Sequence, residues 1–363
     1  MSDRDADPTG PERRDVDPHD AEPRDVEPLD PEPGDVTPSA GAGGPARWAD
    51  GPSPRSHGDV SETDARHAVH RAVAEPELHE PVMIVMLTGW IDAAGAGAAA
   101  AHELSRACES TPLLTFDDDT YVDFRARRPV MALRDGINTD LTWSTIELRS
   151  GRSPGGRDVV FLVGPEPDMA WRRFAGATAD LAVELGVTQM VSLGAYPFAS
   201  PHTRPSRLSI STPSHDVLAS VPFARSSVDV PAGMAGVLEH ALHARRIPTM
   251  GLWAQVPHYV SAMEYPAASV ALLDGLAEVT GIEIEALDLR AEVAEQRARL
   301  DRMIADKPEH ESMLRQLEEL HDLADDADEV GGPDAPPDDG EQLELRSGDE
   351  LAREIQEFFR DQP

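Results

Sequence analysis

The feature that most constrains this chain is an apolar run that leads through a glycine-rich turn into an alanine-rich segment. The run covers residues 82–87, the turn Gly89–Gly97 contains Asp92, and alanine dominates the residues that follow. A buried strand, such a turn and a helix together place backbone N–H groups where the helix begins, beside the end of the strand. The glycine spacing differs from G-x-G-x-x-G, so the turn predicts no dinucleotide, and the sequence indicates no other cofactor.

Between residues 78 and 283, short apolar runs alternate with segments of helical periodicity. This alternation predicts an α/β core domain with a mostly parallel sheet flanked by helices. The predicted strands cover 82–87, 113–116, 159–163, 190–193, 206–212 and 249–254. The predicted helices cover 93–108, 168–185, 233–244 and 267–279. Residues 121–149 are expected to form a hairpin or an edge-strand excursion.

The two ends of the chain differ from this core in composition. Residues 1–77 are rich in Pro, Asp and Glu and carry a ten-residue repeat, which predicts a disordered tail. Leucine and alanine at helical spacing predict a helical arm over 284–323, followed by an acidic linker over 324–346. A capping box and one apolar face predict an amphipathic helix over 347–363.

Composition excludes several classes of function. The net charge of −35 argues against a nucleic-acid partner, because no basic surface is available to bind phosphates. No apolar run is long enough to span a bilayer, so no membrane partner is expected. Cys108 is the single cysteine, which fits a reducing cytoplasm and excludes disulfides. Lys307 is the single lysine, so the core has no lysine for a Walker-type loop or a Schiff base.

The carboxyl ends of the predicted strands carry glycines and polar residues, and ligands of open parallel sheets bind at this edge. The candidate ligand-binding residues are Asp92, Gly95, Gly97, Glu166, Asp168, His202, Arg204, Gly233 and Gly236. His202 and Arg204 are suited to hold an anion, because a guanidinium binds carboxylate or phosphate in a bidentate manner. Structural roles are the alternative: glycines permit close packing and turns, and acidic residues cap helices. No third ligand accompanies His240 and His243, so no metal site is predicted.

Four short elements follow one another in a fixed order. They are Gly-aromatic-x-Asp at residues 89–92, Gly-x-x-Pro at 164–167, Gly-x-x-Pro with Pro-His-Thr-Arg-Pro at 194–205, and Gly-x-x-Gly at 233–236. In this order they resemble the bacterial branch of the proteasome assembly chaperone family, over a region from about Pro81 to the mid-280s. The resemblance implies an α/β fold like that of nucleoside phosphorylases and related hydrolases. It also implies a chaperone role, with proteasome subunits as partners.

Two functions therefore remain open at the level of the sequence. The first is a non-enzymatic assembly protein that forms a homo-oligomer, because the helical arm offers an interaction surface and no catalytic set is recognisable. The second is a phosphorylase- or hydrolase-like enzyme, or a ligand sensor, that binds a small anionic ligand at the strand ends. In the second case Asp92, Glu166, His202 and Arg204 would line the site, with the anion at the start of a helix.

Overall fold

The computed structural model describes residues 62–64, 69–71, 76–305 and 308–330. The ten-residue repeat, most of the predicted acidic linker and the predicted C-terminal helix lie outside the described residues. Strands within this range are β1 Glu62–Asp64, β2 Val69–Arg71, β3 Val82–Thr88, β4 Thr111–Phe116, β5 Val130–Arg134, β6 Ile137–Thr142, β7 Glu147–Arg152, β8 Asp158–Pro165, β9 Gln189–Phe198, β10 Leu208–Ser211 and β11 Thr249–Pro257. Helices are α1 Ala96–Ala107, α2 Asp118–Tyr121, α3 Trp171–Glu184, α4 His215–Ala219, α5 Met234–His243, α6 Pro266–Thr280, α7 Leu287–Ala305 and α8 Pro308–Val330.

Nine strands form one mixed sheet in the order β1-β2-β4-β7-β8-β3-β9-β11-β10. The four central strands β8, β3, β9 and β11 are parallel to one another, whereas β7 and β10 flank them in the antiparallel direction. β5 and β6 form a separate two-stranded sheet. The predicted α/β fold with a mostly parallel sheet is therefore confirmed.

Strand β3 contributes side chains to a core on each face of the sheet. Ile84 packs in one core with α1, α6 and the arm helices, and Val85 packs in the other with α3 and α5. Because both faces are covered, the strand is apolar at nearly every position, as is usual for central parallel strands. The carboxyl ends of the four central strands meet at one edge of the sheet, and we call the loops that follow them the rim.

Several predicted boundaries differ from the structure. The helix predicted from residue 168 begins at Trp171, because Ala170 has a left-handed backbone with φ of 55°. Residues 121–149 contain not only the β5–β6 hairpin but also the start of β7, which joins the main sheet. Helix α8 extends to Val330, beyond the start of the predicted linker at residue 324.

The arm region consists of α7 and α8, which pack through a few apolar residues on the core of α1 and α6. Leu289, Leu300, Ile304 and Leu317 are the buried apolar residues of this contact, and Met313 and Leu314 pack beside them. Pro308 lies at the first position of α8, where its missing N–H has no intrahelical partner to lose. Within the described range, no helix has both the length and the apolar character needed to cross a bilayer.

Candidate functional site

Asp92 occupies the rim after β3 and caps the start of α1. Its two carboxylate oxygens accept the backbone N–H groups of Gly97 at 2.8 Å and Ala98 at 3.0 Å. Burial raises the pKa of Asp92 to about 6, although these two N–H donors act in the opposite direction. The backbone N–H groups at the start of α1, where the sequence analysis predicts an anion, therefore already donate to the Asp92 carboxylate. An external anion would have to displace that carboxylate.

Glycine suits positions 95 and 97 of this turn for two different structural reasons. Gly95 has a left-handed backbone with φ of 63°, and a Cβ there would meet nothing within 4 Å. Gly97 has a crowded position, because a Cβ would lie 3.1 Å from both the Asp92 Oδ1 atom and the Leu193 carbonyl oxygen. Gly95 therefore serves the conformation of the turn, and Gly97 allows α1 to approach β9 closely.

Glu166 and Gly233 meet at the rim beside Trp90. The Glu166 carboxylate accepts the backbone N–H of Met234 and so caps α5 as Asp92 caps α1. A Cβ on Gly233 would lie 2.6 Å from Cδ1 of Trp90 and 3.3 Å from Oε1 of Glu166. Gly236, one turn along α5, has no such crowding. Of the predicted candidates, Glu166 and Gly233 are thus in direct proximity.

Asp168 binds Arg127, a residue that the sequence analysis does not select. The Nε–H of Arg127 donates to both Asp168 oxygens at 3.0 and 3.2 Å, and its Nη2 atom donates to the Glu166 carbonyl at 3.4 Å. Asp168 also accepts the backbone N–H of Asp123 at 3.0 Å. Arg127 thereby fixes the segment that precedes β5 to the rim. The two partners are 41 residues apart, and no local pattern indicates their pairing.

His202 is buried between the core and the arm. Its backbone N–H donates to the Tyr259 hydroxyl at 2.8 Å, and that hydroxyl donates to Nδ1 of the ring at 2.8 Å. The Nε2–H group then donates to the Asp301 carboxylate of α7 at 3.1 Å. Burial lowers the pKa of His202, while Asp301 opposes this effect, so the bonding fits a neutral imidazole.

Arg204 holds carboxylates, as its residue type predicts, but these carboxylates belong to α8. It makes a bidentate pair with Asp322, with N–O distances of 2.8 Å and 2.8 Å, and it contacts Glu318 at 3.4 Å. The hydroxyl of Thr203 donates to the same Glu318 carboxylate at 2.5 Å. The three consecutive residues 202–204 therefore connect the core to both arm helices.

The candidate residues lie in three separate groups, which surround Asp92, Glu166 and the pair His202 and Arg204. The role of each residue as a ligand contact stays a prediction. One cavity of about 140 Å³ lies between α7 and the core, where His202, Arg204, Tyr265 and Arg297 are among its lining residues. A second cavity, of about 520 Å³, lies near the amino ends of β9 and β11, where Gln189 and Met250 line it. No group of three or more His, Cys, Asp or Glu side chains within the described ranges is arranged to hold a metal ion.

The β5–β6 hairpin carries an exposed apolar surface that the sequence analysis did not identify. The exposed fractions are 70% for Val130, 51% for Met131, 52% for Leu133, 66% for Ile137, 38% for Leu141 and 48% for Trp143. We call these six residues the hairpin surface. Met131 and Leu141 are direct cross-strand partners, and Trp143 packs edge-on against Phe124 with a centroid distance of 4.8 Å.

Comparison with known proteins gives one family. A model described as the PAC2 family matches residues 86–304. A proteasome-assembly chaperone homologue from Mycobacterium tuberculosis is 32% identical, with 65% of this chain and 99% of that chain covered and a TM-score of 0.60. A PAC2 family protein from Streptomyces avermitilis is 33% identical, with 64% and 99% covered and a TM-score of 0.59. A Corynebacterium glutamicum protein of unknown function is 28% identical, with 70% and 97% covered and a TM-score of 0.66. No curated protein sequence gives a significant match.

Proposed function

The chain belongs to the PAC2 family, and from this membership we propose that it is a non-enzymatic assembly protein that associates with copies of itself through the hairpin surface. Similarity to a proteasome-assembly chaperone homologue supports the assembly role. The exposed apolar residues of the β5–β6 hairpin are the observation that carries the proposal.

The hairpin needs a partner for physical reasons. Within the described residues, β5 and β6 pair only with each other, and an isolated two-stranded hairpin is marginally stable in water. Several exposed apolar side chains on one small element are typical of protein–protein contacts. Covering six such side chains would contribute on the order of 10 kcal/mol before the entropy of association is subtracted.

A second copy of the chain is the partner that we propose for this surface. Within the described residues each hairpin strand is paired along one edge, so the other edge can pair with the corresponding strand of another copy while the apolar side chains pack together. The surface also combines aliphatic residues with Trp143 at its base, a composition that suits the centre of an interface.

The test replaces Leu133 and Ile137 by Asp in the full-length chain. We expect the unchanged protein to sediment as an oligomer at micromolar concentration and the double variant to sediment as a monomer. Val183→Asp with Leu287→Asp is the matched control, since these two residues are 53% and 67% exposed on α3 and α7. Sedimentation velocity that shows a monomer before any substitution would contradict the proposal, as would loss of the oligomer in the control alone.

Proteasome subunits are the further partner that we propose, in a cytoplasmic setting that the single cysteine supports. Native mass spectrometry of the tagged full-length protein from its own cells is the measurement. Proteasome subunits in the recovered complex would support this role, whereas an oligomer free of them would contradict it.

An enzyme or a ligand sensor at the rim is the alternative. The bonding of Asp92 and Glu166 favours assembly over this alternative, because both carboxylates cap helices of the same chain. An anion-dependent rise in melting temperature that Arg204→Ala abolishes would favour the alternative instead.

A further inference from the structure

The larger of the two cavities lies at the edge of the sheet opposite the rim. It is formed where the starts of β9 and β11 meet α4 and the end of α6, and its volume is about 520 Å³. Small-molecule sites typically have volumes of roughly 300–1,000 Å³, and a sphere of this cavity's volume would be about 10 Å across. None of the candidate residues predicted from the sequence lines this cavity, so their roles do not account for it.

Part of the cavity lining is aliphatic. Met250 of β11 is buried in the core, and Val217, Val221 and Val279 pack beside that core while also lining the cavity. None of the described residues that line the cavity has an aromatic side chain, so a nucleoside or another flat ring would find no stacking partner. The lining therefore suits an aliphatic group.

Three charged side chains line the same cavity. Arg157 directly precedes β8, Asp216 lies in the first turn of α4, and Glu278 lies near the end of α6. All three residues are exposed, and among the described residues none of them forms an ion pair. Their charged groups are therefore available to a ligand that carries both a positive and a negative charge.

The Arg157 guanidinium is fixed by the end of α6. Its Nη1 group donates to the Thr280 carbonyl at 2.6 Å, and the Gln189 side-chain amide donates to the neighbouring Val279 carbonyl at 3.4 Å. These bonds satisfy carbonyl groups that have no partner within the helix. A guanidinium held in this way loses less side-chain entropy on binding, and its Nε and Nη2 groups suit two parallel hydrogen bonds to a carboxylate.

The two carboxylates of the lining suit an ammonium group. Ionised Asp216 and Glu278 accept hydrogen bonds and cannot donate them, so they favour a cation with N–H donors. One guanidinium against two carboxylates disfavours phosphate or a dicarboxylate as the ligand. The described residues also contain no group of three or more His, Cys, Asp or Glu side chains that could hold a metal ion here.

We propose that this cavity binds a free α-amino acid with an aliphatic side chain. The carboxylate of the ligand pairs with Arg157, its ammonium group binds Asp216 and Glu278, and its side chain packs against Met250 and the valines. This site contains no residue of the hairpin surface or the rim, so it stands or falls separately from self-association.

The first experiment measures binding of L-leucine, L-isoleucine, L-valine and L-methionine to the full-length chain by isothermal titration calorimetry. At least one of the four is expected to bind with a Kd below about 1 mM. The N-acetyl derivative of the tightest ligand lacks its positive charge, and the amide derivative lacks its negative charge. Each derivative is expected to bind about ten-fold more weakly or worse, as measured by ligand-observed NMR. Kd values above about 1 mM for all four amino acids would overturn the proposal.

Arg157→Gln separates recognition of the carboxylate from a general change in structure. The variant is expected to bind the amino acid about ten-fold more weakly or worse, and to bind the amide derivative as the unchanged protein does. Arg172→Gln is the matched control, because Arg172 is an exposed arginine of α3 outside the cavity. Unchanged binding of the amino acid by Arg157→Gln would overturn the proposal, as would an equal loss for the amino acid and its amide.

Asp216→Asn with Glu278→Gln tests recognition of the ammonium group. This double variant is expected to bind the amino acid about ten-fold more weakly or worse, while binding of the N-acetyl derivative does not weaken. Asp288→Asn with Glu292→Gln is the matched control, because both residues are exposed on α7 and lie outside the cavity. The assignment of the carboxylates would be wrong if the control weakened binding as much as the double variant.

Discussion

The polar side chains of the rim have hydrogen-bonding partners within the chain, whereas the hairpin surface exposes apolar side chains. At the rim, the polar atoms of Asp92, Glu166 and Asp168 are bonded to groups of the same chain. On the hairpin surface, apolar side chains such as Val130 and Ile137 are about two-thirds exposed. The polar candidates of the rim are therefore bonded within the chain, although Trp90, Ile91 and Met169 beside them are 42–44% exposed. Among the described residues, the hairpin strands pair only with each other and carry a larger set of exposed apolar side chains.

Different experiments should therefore disturb the two regions. A substitution at the rim should change the free energy of unfolding, because rim residues hold helices and strands together. A substitution on the hairpin surface should change association and leave the folded monomer nearly unaffected.

Gly164→Ala at the rim should give the largest effect. Gly164 has φ of +128°, and a Cβ there would lie 2.4 Å from the Thr145 carbonyl oxygen. Backbone strain and the clash together are expected to destabilise the protein by about 3 kcal/mol or more, as measured by urea denaturation. Gly176→Ala is the control, because a Cβ at Gly176 in α3 meets nothing within 4 Å and should stabilise by up to about 1 kcal/mol. Equal stability of the two variants would refute the structural role of Gly164.

Asp92→Asn should give an intermediate effect that depends on pH. The pKa of Asp92 is raised to about 6, so the folded protein holds this proton more tightly than the unfolded chain. The stabilisation that protonated Asp92 provides is complete below the ordinary pKa of about 3.9, and it is lost as the pH rises through about 6. The unchanged protein should lose on the order of 2 kcal/mol more stability than Asp92→Asn between about pH 4 and pH 8.

Urea denaturation at both pH values measures this difference, and the other titrating groups cancel because both proteins contain them. Asp288→Asn, a substitution of an exposed aspartate, is the control for the loss of one carboxylate. Parallel pH dependence of the unchanged protein and Asp92→Asn would exclude a buried, titrating cap at this position.

The smallest effect on folding is expected from the hairpin. Leu133→Asp with Ile137→Asp should change the free energy of unfolding by less than about 0.5 kcal/mol, because both side chains are exposed. The measurement is urea denaturation at a dilution where the unchanged protein is monomeric. A loss of several kcal/mol would mean that the hairpin surface packs within its own chain, and the contrast with the rim would disappear.

Much of the fold was predictable because it depends on local patterns. The run at 82–87 predicts β3, and the glycine-rich turn with alanines predicts the start of α1, since burial on both faces and helix geometry leave periodic traces. The start of α3 was predicted less well. Asp168 precedes the helix as a cap would, but a tertiary partner, Arg127, binds its carboxylate instead.

The candidate site likewise has features that local sequence predicts and features that depend on tertiary contacts. Residue type alone predicts that Arg204 binds carboxylates, but the source of those carboxylates, Glu318 and Asp322, lies more than a hundred residues away. The exposure of the hairpin surface could not be predicted either, because a strand such as Val130–Arg134 has the same sequence whether or not another layer covers it.

The sequence by itself determined the α/β class, the core strands and the family elements, because periodicity and turn chemistry are short-range properties. The tertiary structure decided which polar groups bond to one another and which apolar residues stay uncovered. These outcomes depend on contacts between segments that are distant in the sequence. Residues 202–204 bind the arm helices, and β5 and β6 form a sheet separate from the nine-stranded one.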